Sequence, residues 1–327
     1  MRGPEHAAWL ERLRSEHANF REALSWLHAN GHAADELRLA SNLGEYAYHG
    51  GALEEGCLWL DRALAVSHGV PMDIRAGGLA FAAMNGAFAG DLATAGARAE
   101  ETLGIARRCG PEVLAEAVRA LGVVRSLEGN AVEAARLDGE PLELAREHGL
   151  DPLLADVSNN LGYTALQTGD LPRARALLHE SIGSARRRND SIVLSVALSN
   201  LVLADLIEDR LTDAARECAE ALEIARRHAL GPALRGALAC AAALMAREGS
   251  YRESVAAQGS VEELGTRVGE PLQALEAELC ERALGMARDD LGDDETEAVL
   301  ARGRPSDPDD VAGEALAWLN GCTARRI

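Results

Sequence analysis

The stretch Asn159-Asn160-Leu161-Gly162-Tyr163-Thr164-Ala165-Leu166-Gln167-Thr168-Gly169-Asp170-Leu171-Pro172-Arg173-Ala174-Arg175-Ala176-Leu177-Leu178 decides the fold. It reads as helix, tight turn, helix, with Gly169-Asp170 as the turn. Forty residues away in either direction the pattern returns. Gly51, Gly90, Gly129, Gly169, Asp209 and Gly249 stand 39, 39, 40, 40 and 40 residues apart. Five positions after each turn is a small residue: Gly56, Ala95, Ala134, Ala174, Ala214 and Ser254. Thirteen after comes Leu64, Leu103, Leu142, Ile182 and Leu222, with Glu262 as the departure. Sixteen after is small again: Ser67, Ala106, Ala145, Ala185, Ala225 and Gly265. Seven before comes Gly44, Ala83, Gly122, Gly162, Val202 and Ala242. Self-similarity at a fixed period is the signature of stacked supersecondary units.

Each recurring position has a physical role. Gly, Asn and Asp tolerate the left-handed backbone of a tight turn. Small residues beside it let two helix axes approach closely, and the aliphatic position anchors the second helix. Each pair is apolar on two sides, so it buries its surface only against neighbours. Gly-Pro and related signals at 69–71, 110–111, 149–152, 231–232 and 269–271 punctuate the links between pairs. The expected fold is all-α: a right-handed α-solenoid of helix hairpins with a period of about 40 residues. Its expected parts are an N-terminal capping helix (1–33), six helix pairs (34–269) and C-terminal capping helices (270–327). The first helix should run from Pro4 to Ala29 and a late one from Pro271 to Arg288. Short helices are expected near 295–301 and 307–319, with Ser306 and Asp309 resembling a capping box.

Composition agrees. The 327 residues are 47% hydrophobic but only 3% aromatic, and Ala and Leu favour helix. The net charge of -19 opposes binding to phosphate backbones, so no nucleic acid is expected as a partner of this chain alone. There is no Lys, which removes P-loop and Schiff-base chemistry. No apolar run is long enough to span a bilayer, and residues 1–6, with no apolar stretch after them, are not expected to be a signal peptide. Six scattered cysteines without a CxxC read as reduced thiols, which places the chain in the cytoplasm.

The turn pattern resembles a tetratricopeptide repeat with longer helices. Residues 3–27 (GPEHAAWLERLRSEHANFREALSWL) and 301–316 (ARGRPSDPDDVAGEAL) are similar to segments in actinobacterial STAND-type regulators. These are large LuxR-like and AfsR-like transcriptional regulators of the "predicted ATPase" kind. The first segment resembles the stretch on the C-terminal side of their ATPase module, the second the end of their repeat region. The resemblance implies a sensor, scaffold or oligomerisation module. It does not carry over the ATPase or DNA-binding activity, because this chain shows neither a Walker A motif nor a helix-turn-helix. It further implies groove positions about 13, 10, 6 and 3 residues before each turn. Those of interest are Arg38, Ser41, Glu45, Tyr48, Met84, Glu116, Arg119, Asp156, Asn159, Tyr163 and Ser199. A protein or peptide partner, or a small effector, could be hydrogen-bonded there by Arg119 and Asn159 and packed on Tyr163. The same positions also suit plain packing between repeats.

Other motifs carry less. His28 and His32 have a metal-like spacing but no acidic or thiol partner in register, so they read as surface residues. Asp289–Glu295 lacks the ligand order of a calcium loop and reads as a solvated acidic loop. Arg107-Arg108, Arg186-Arg187-Arg188 and Arg226-Arg227 end second helices, where cations complement the helix dipole. No catalytic constellation, cofactor or metal is expected. The function expected is a non-catalytic binding module. A structural or homo-oligomerising repeat protein is the alternative.

Overall fold

The computed structural model describes residues 6–50, 52–130, 139–268, 272–304 and 306–326. All regular structure among them is α-helical. The chain divides into two compact units, Ala8–Thr168 and Gly169–Ile327. The first holds α1 (His6–Ser15), α2 (His17–Ala29), α3 (Ala33–Asn42), α4 (Gly44–Gly50) and α5 (Leu53–Ala65). It continues with α6 (Met72–Phe88), α7 (Leu92–Ala106), α8 (Pro111–Leu127), α9 (Gly139–Glu147) and α10 (Asp151–Gln167). The second holds α11 (Leu171–Arg188), α12 (Ser191–Ile207), α13 (Leu211–Arg227), α14 (Gly231–Arg247) and α15 (Tyr251–Val268). It ends with α16 (Ala274–Leu291), α17 (Asp293–Gly303) and α18 (Pro308–Arg326). Among the described residues no helix is long and apolar enough to cross a membrane.

The turns behave as their residue types demand. Gly90, Gly129, Gly169, Asp209 and Gly249 all have positive φ, between 61° and 92°; Gly51 lies outside the described residues. Past four of these turns an N–H reaches back five residues: Asp91 to Gly86, Asn130 to Arg125, Arg210 to Asp205 and Ser250 to Met245, at 2.8–2.9 Å. These bonds satisfy carbonyls that a helix end leaves unpaired. Asp91 and Asp170 then cap the next helix, each accepting an N–H three residues on at 3.2 Å.

A second left-handed series closes the second helices: Gly149, Asn189 and Ala229, again at a 40-residue spacing. The next residues, Leu150, Asp190 and Leu230, donate at 2.9 Å to the carbonyls of Ala145, Ala185 and Ala225. Both ends of the hairpin thus use the same closing motif.

The small positions are where helices touch. A Cβ on Gly56 would lie 2.3 Å from that of Ala47, and one on Gly78 would lie 2.5 Å from Leu37. Ala95, Ala174 and Ala214 are fully buried, while Ala134 lies outside the described residues. Where Ser254 replaces alanine, its hydroxyl donates to the Ala242 carbonyl at 2.7 Å, tying α15 to α14. Leu64, Leu142, Ile182 and Leu222 are buried as anchors. Burying each such side chain contributes roughly 1.5–3 kcal/mol.

Several local expectations change. The first helix bends at Glu16, where the Ser15 hydroxyl donates to the Arg12 carbonyl at 2.7 Å. The first helix of pair one breaks at Leu43 into α3 and α4. There Ser41 bonds back to the Leu37 carbonyl at 2.7 Å, and a Cβ on Gly44 would lie 2.8 Å from Phe81. Such back-bonding bends helices. The acidic run is no loop, because Gly292 alone, with φ of 85°, separates α16 from α17. The last helix is capped by Asp307, whose carboxylate accepts the Asp309 N–H at 2.9 Å. Ser306 instead donates to the Arg302 carbonyl.

The sixth pair departs from the anchor pattern because α17 packs on its second helix. A Cβ on Gly259 would lie 2.6 Å from the Leu300 carbonyl, and one on Gly303 2.4 Å from the Ala256 carbonyl. Glu262 stands in the anchor position and pairs with Arg304 at 2.6 Å. The final helix, α18, folds back onto α13, α14 and α15. Arg226 holds Asp309 at 3.0 Å, and the Trp318 indole donates to Ser250 at 3.0 Å.

Two substitutions check this architecture by thermal or denaturant unfolding. Ala214→Leu should destabilise by about 1–3 kcal/mol through overpacking, and an unchanged midpoint would contradict the close approach of α12 and α13. Ala229→Gly should stabilise by ~0.5–1 kcal/mol, because an L-residue at φ of 52° is strained. A loss of stability would contradict that turn.

Candidate functional site

In the first unit the first helices of successive pairs lie side by side: α3 against α6, α6 against α8, α8 against α10. This row is the surface on which the groove positions fall. The second unit has its own row, α12 against α14 and α14 against α16.

The row buries part of what the sequence places on it. Met84 packs with Ala80 and Ala120 in the seam between α6 and α8. Asn159 and Tyr163 on α10 are buried, as is Ser199 on α12, whose hydroxyl donates to the Ser195 carbonyl at 3.1 Å. Ser199 belongs to the second unit. Tyr48 is half-buried and stacks on Phe88, with ring centroids 4.6 Å apart. The side chain of Glu45 lies outside the described residues.

Arg38 is exposed, and Ser41, Glu116, Arg119 and Asp156 are half-buried. Arg38 pairs with Asp35 at 3.3 Å, and Arg119 makes two bonds to Glu116. Beside Glu116 a cavity of about 190 Å³ opens between α6 and α8. Its floor is Ala76, Ala80 and Val113, and Asp73, Glu112 and Glu116 border it. The arrangement offers an apolar notch with acidic edges, suited to gripping a side chain. Among the described residues no three His, Cys, Asp or Glu side chains gather as a metal site.

Three polar clusters escaped the sequence. His28 does have an acidic partner: its Nδ1 lies 3.0 Å from the buried Glu36, which Arg62 also holds at 2.9 Å. His32 stacks on Trp26. His17 bridges Tyr46 at 2.9 Å and Glu55 at 2.8 Å, pinning α2 to α4 and α5. Arg21 on Glu55 holds that carboxyl below its usual range. Among the described residues no cysteine is in a disulfide, and burial pushes Cys218 and Cys280 up to about 12, which makes them poor nucleophiles.

The third cluster lies within the second unit. Asp205 on α12 is fully buried, with Oδ1 taken by Arg175 from α11 and by Arg210 at 3.3 Å. Arg175 also holds Glu208 at 2.6 Å, and Asp213 lies between Arg210 and Arg216. Glu217 on α13 faces Asp205, with Arg216 3.5 Å from its other oxygen. Asp205 Oδ2 and Glu217 Oε2 are both buried without a donor. One proton on Glu217, donated to Asp205, satisfies both. Burial and that hydrogen bond push the Glu217 carboxyl up to about 8.

Unfolded glutamate titrates near ~4.3, so the folded state holds this proton more tightly. The stabilisation is complete below the unfolded value and is lost as pH rises toward the folded one. Between about pH 5 and pH 8 this group should lower stability by up to about 1.4 kcal/mol per pH unit. Glu217→Gln should flatten that slope in denaturant melts, and a variant with the wild-type slope would contradict the shared proton.

No family model matches the chain. Over 234 residues it is 30% identical to proteins named "Putative HTH-type transcriptional regulator" from Mycobacterium bovis and from two strains of Mycobacterium tuberculosis. That match covers 68% of this chain and 25% of each of those proteins. The chain therefore spans about a quarter of the length of the curated relatives it matches. Among solved structures it is similar to BtubC from P. vanneervenii, at 17% identity and a TM-score of 0.47, over 74% of this chain and 93% of that one. It is also similar to the TPR2AB-domain:pHSP90 complex of yeast Sti1, at 16% identity and a TM-score of 0.32, over 77% of this chain and 98% of that one.

Proposed function

We propose that this chain is a non-catalytic binding module, the helical-repeat part of a bacterial transcriptional regulator of the STAND type. It takes a protein or peptide segment on the first-helix row of its first unit, and occupancy there signals to the rest of the regulator. The observation that carries this reading is the similarity over 234 residues to proteins named as transcriptional regulators, joined to a repeat fold. The notch between α6 and α8 supports it, because its apolar floor and acidic edges can hold one protruding side chain. The net charge of -19 supports it too, since DNA contact would fall to other regions of such a regulator.

Self-association is the second reading, favoured by exposed Trp9, Trp26 and Leu58 in the first unit. Light scattering separates it from partner binding. Binding itself is tested with peptides selected from a random display library on the purified chain. Val113→Trp, which fills the notch, should weaken the selected peptides by at least about tenfold without lowering the thermal midpoint. Peptides that bind this variant as before, or that crosslink to second helices alone, would overturn the assignment.

A further inference from the structure

A separate cavity of about 290 Å³ lies inside the second unit, lined by residues of α14, α15, α17 and α18, the last of which folds back over α14 and α15. Its floor is apolar: Met245, Ala257, Val299 and Ala315 line it and are all buried. Trp318 forms a wall, and its indole N–H is already committed to Ser250 at 3.0 Å. That bond fixes the ring and leaves hydrocarbon surface for a ligand. The size lies at the low end for ligand pockets, which fits a small metabolite and is too tight for a dinucleotide.

The rim carries both signs. Arg252 from α15 and Arg302 from α17 converge on one carboxylate, Glu295, at 2.9 and 3.9 Å. Two guanidiniums sharing one carboxylate retain capacity for a second. Glu253 from α15 and Glu314 from α18 are exposed at the same rim and carry no cation partner among the described residues. A pure anion would meet two unpaired carboxylates, and a pure cation two arginines. A molecule with an ammonium, a carboxylate and an apolar body matches every lining group.

We propose that this cavity binds an α-amino acid with a large apolar side chain. The side chain would lie on the floor against Trp318, the carboxylate between Arg252 and Arg302, and the ammonium toward Glu253 and Glu314. The site is independent of the first-helix row, so either assignment can fail alone.

The test is calorimetry on the full chain with three probes of one shape: L-phenylalanine, phenethylamine and phenylpropionate. Saturable binding of phenylalanine is expected, with both singly charged analogues at least about tenfold weaker. Arg302→Gln, an exposed substitution, should bring phenylalanine down to the level of phenethylamine. Ala315→Trp should abolish binding by filling the floor. Equal affinity for a singly charged analogue, no saturable binding of phenylalanine, or full binding by Arg302→Gln would each overturn the proposal.

Discussion

Chain reversal in the left-handed backbone region is the constraint on which the rest depends. A hairpin of two long helices needs the chain to turn within two or three residues and still satisfy the carbonyls at the helix end. A residue at positive φ does both. It recurs between the helices at residues 90, 129, 169, 209 and 249, and between pairs at 149, 189 and 229. With the turns fixed, the helix lengths are fixed at 15–18 residues between Met72 and Val268, apart from the third pair's second helix. The small residues near each turn then meet across the hairpin.

The hairpin series was legible because glycine and alanine at fixed offsets are a direct record of backbone conformation and of contact. The second left-handed series was not, because Asn189 and Ala229 stand where glycine would have announced it. Bends at Glu16 and Leu43 depend on serine hydroxyls returning to carbonyls, which the apolar periodicity does not show. The fold-back of α18 rests on Arg226 meeting Asp309, 83 residues away, and no local pattern encodes such a pairing.

The helix on which each candidate position falls was legible, and its depth was not. Repeat register puts Met84, Asn159 and Tyr163 on the first-helix row, and they are there. How far the neighbouring helix covers them depends on side-chain volumes on both sides of the seam, and here it covers them. Arg38 and, in part, Glu116 stay accessible because charged side chains extend past the seam. The cavity of the second unit was invisible for a different reason. Its residues come from four helices, one of which reaches the others only by folding back.

The central claim concerns the closing bonds of the turns, and amide hydrogen exchange reads them one by one. The N–H groups of Asp91, Arg210, Ser250, Leu150, Asp190 and Leu230 each donate to a carbonyl five residues back. In NMR-detected exchange these amides should be protected to the same degree as the helix interiors beside them. Exchange at the rate of open loops, with the helices themselves protected, would contradict the account.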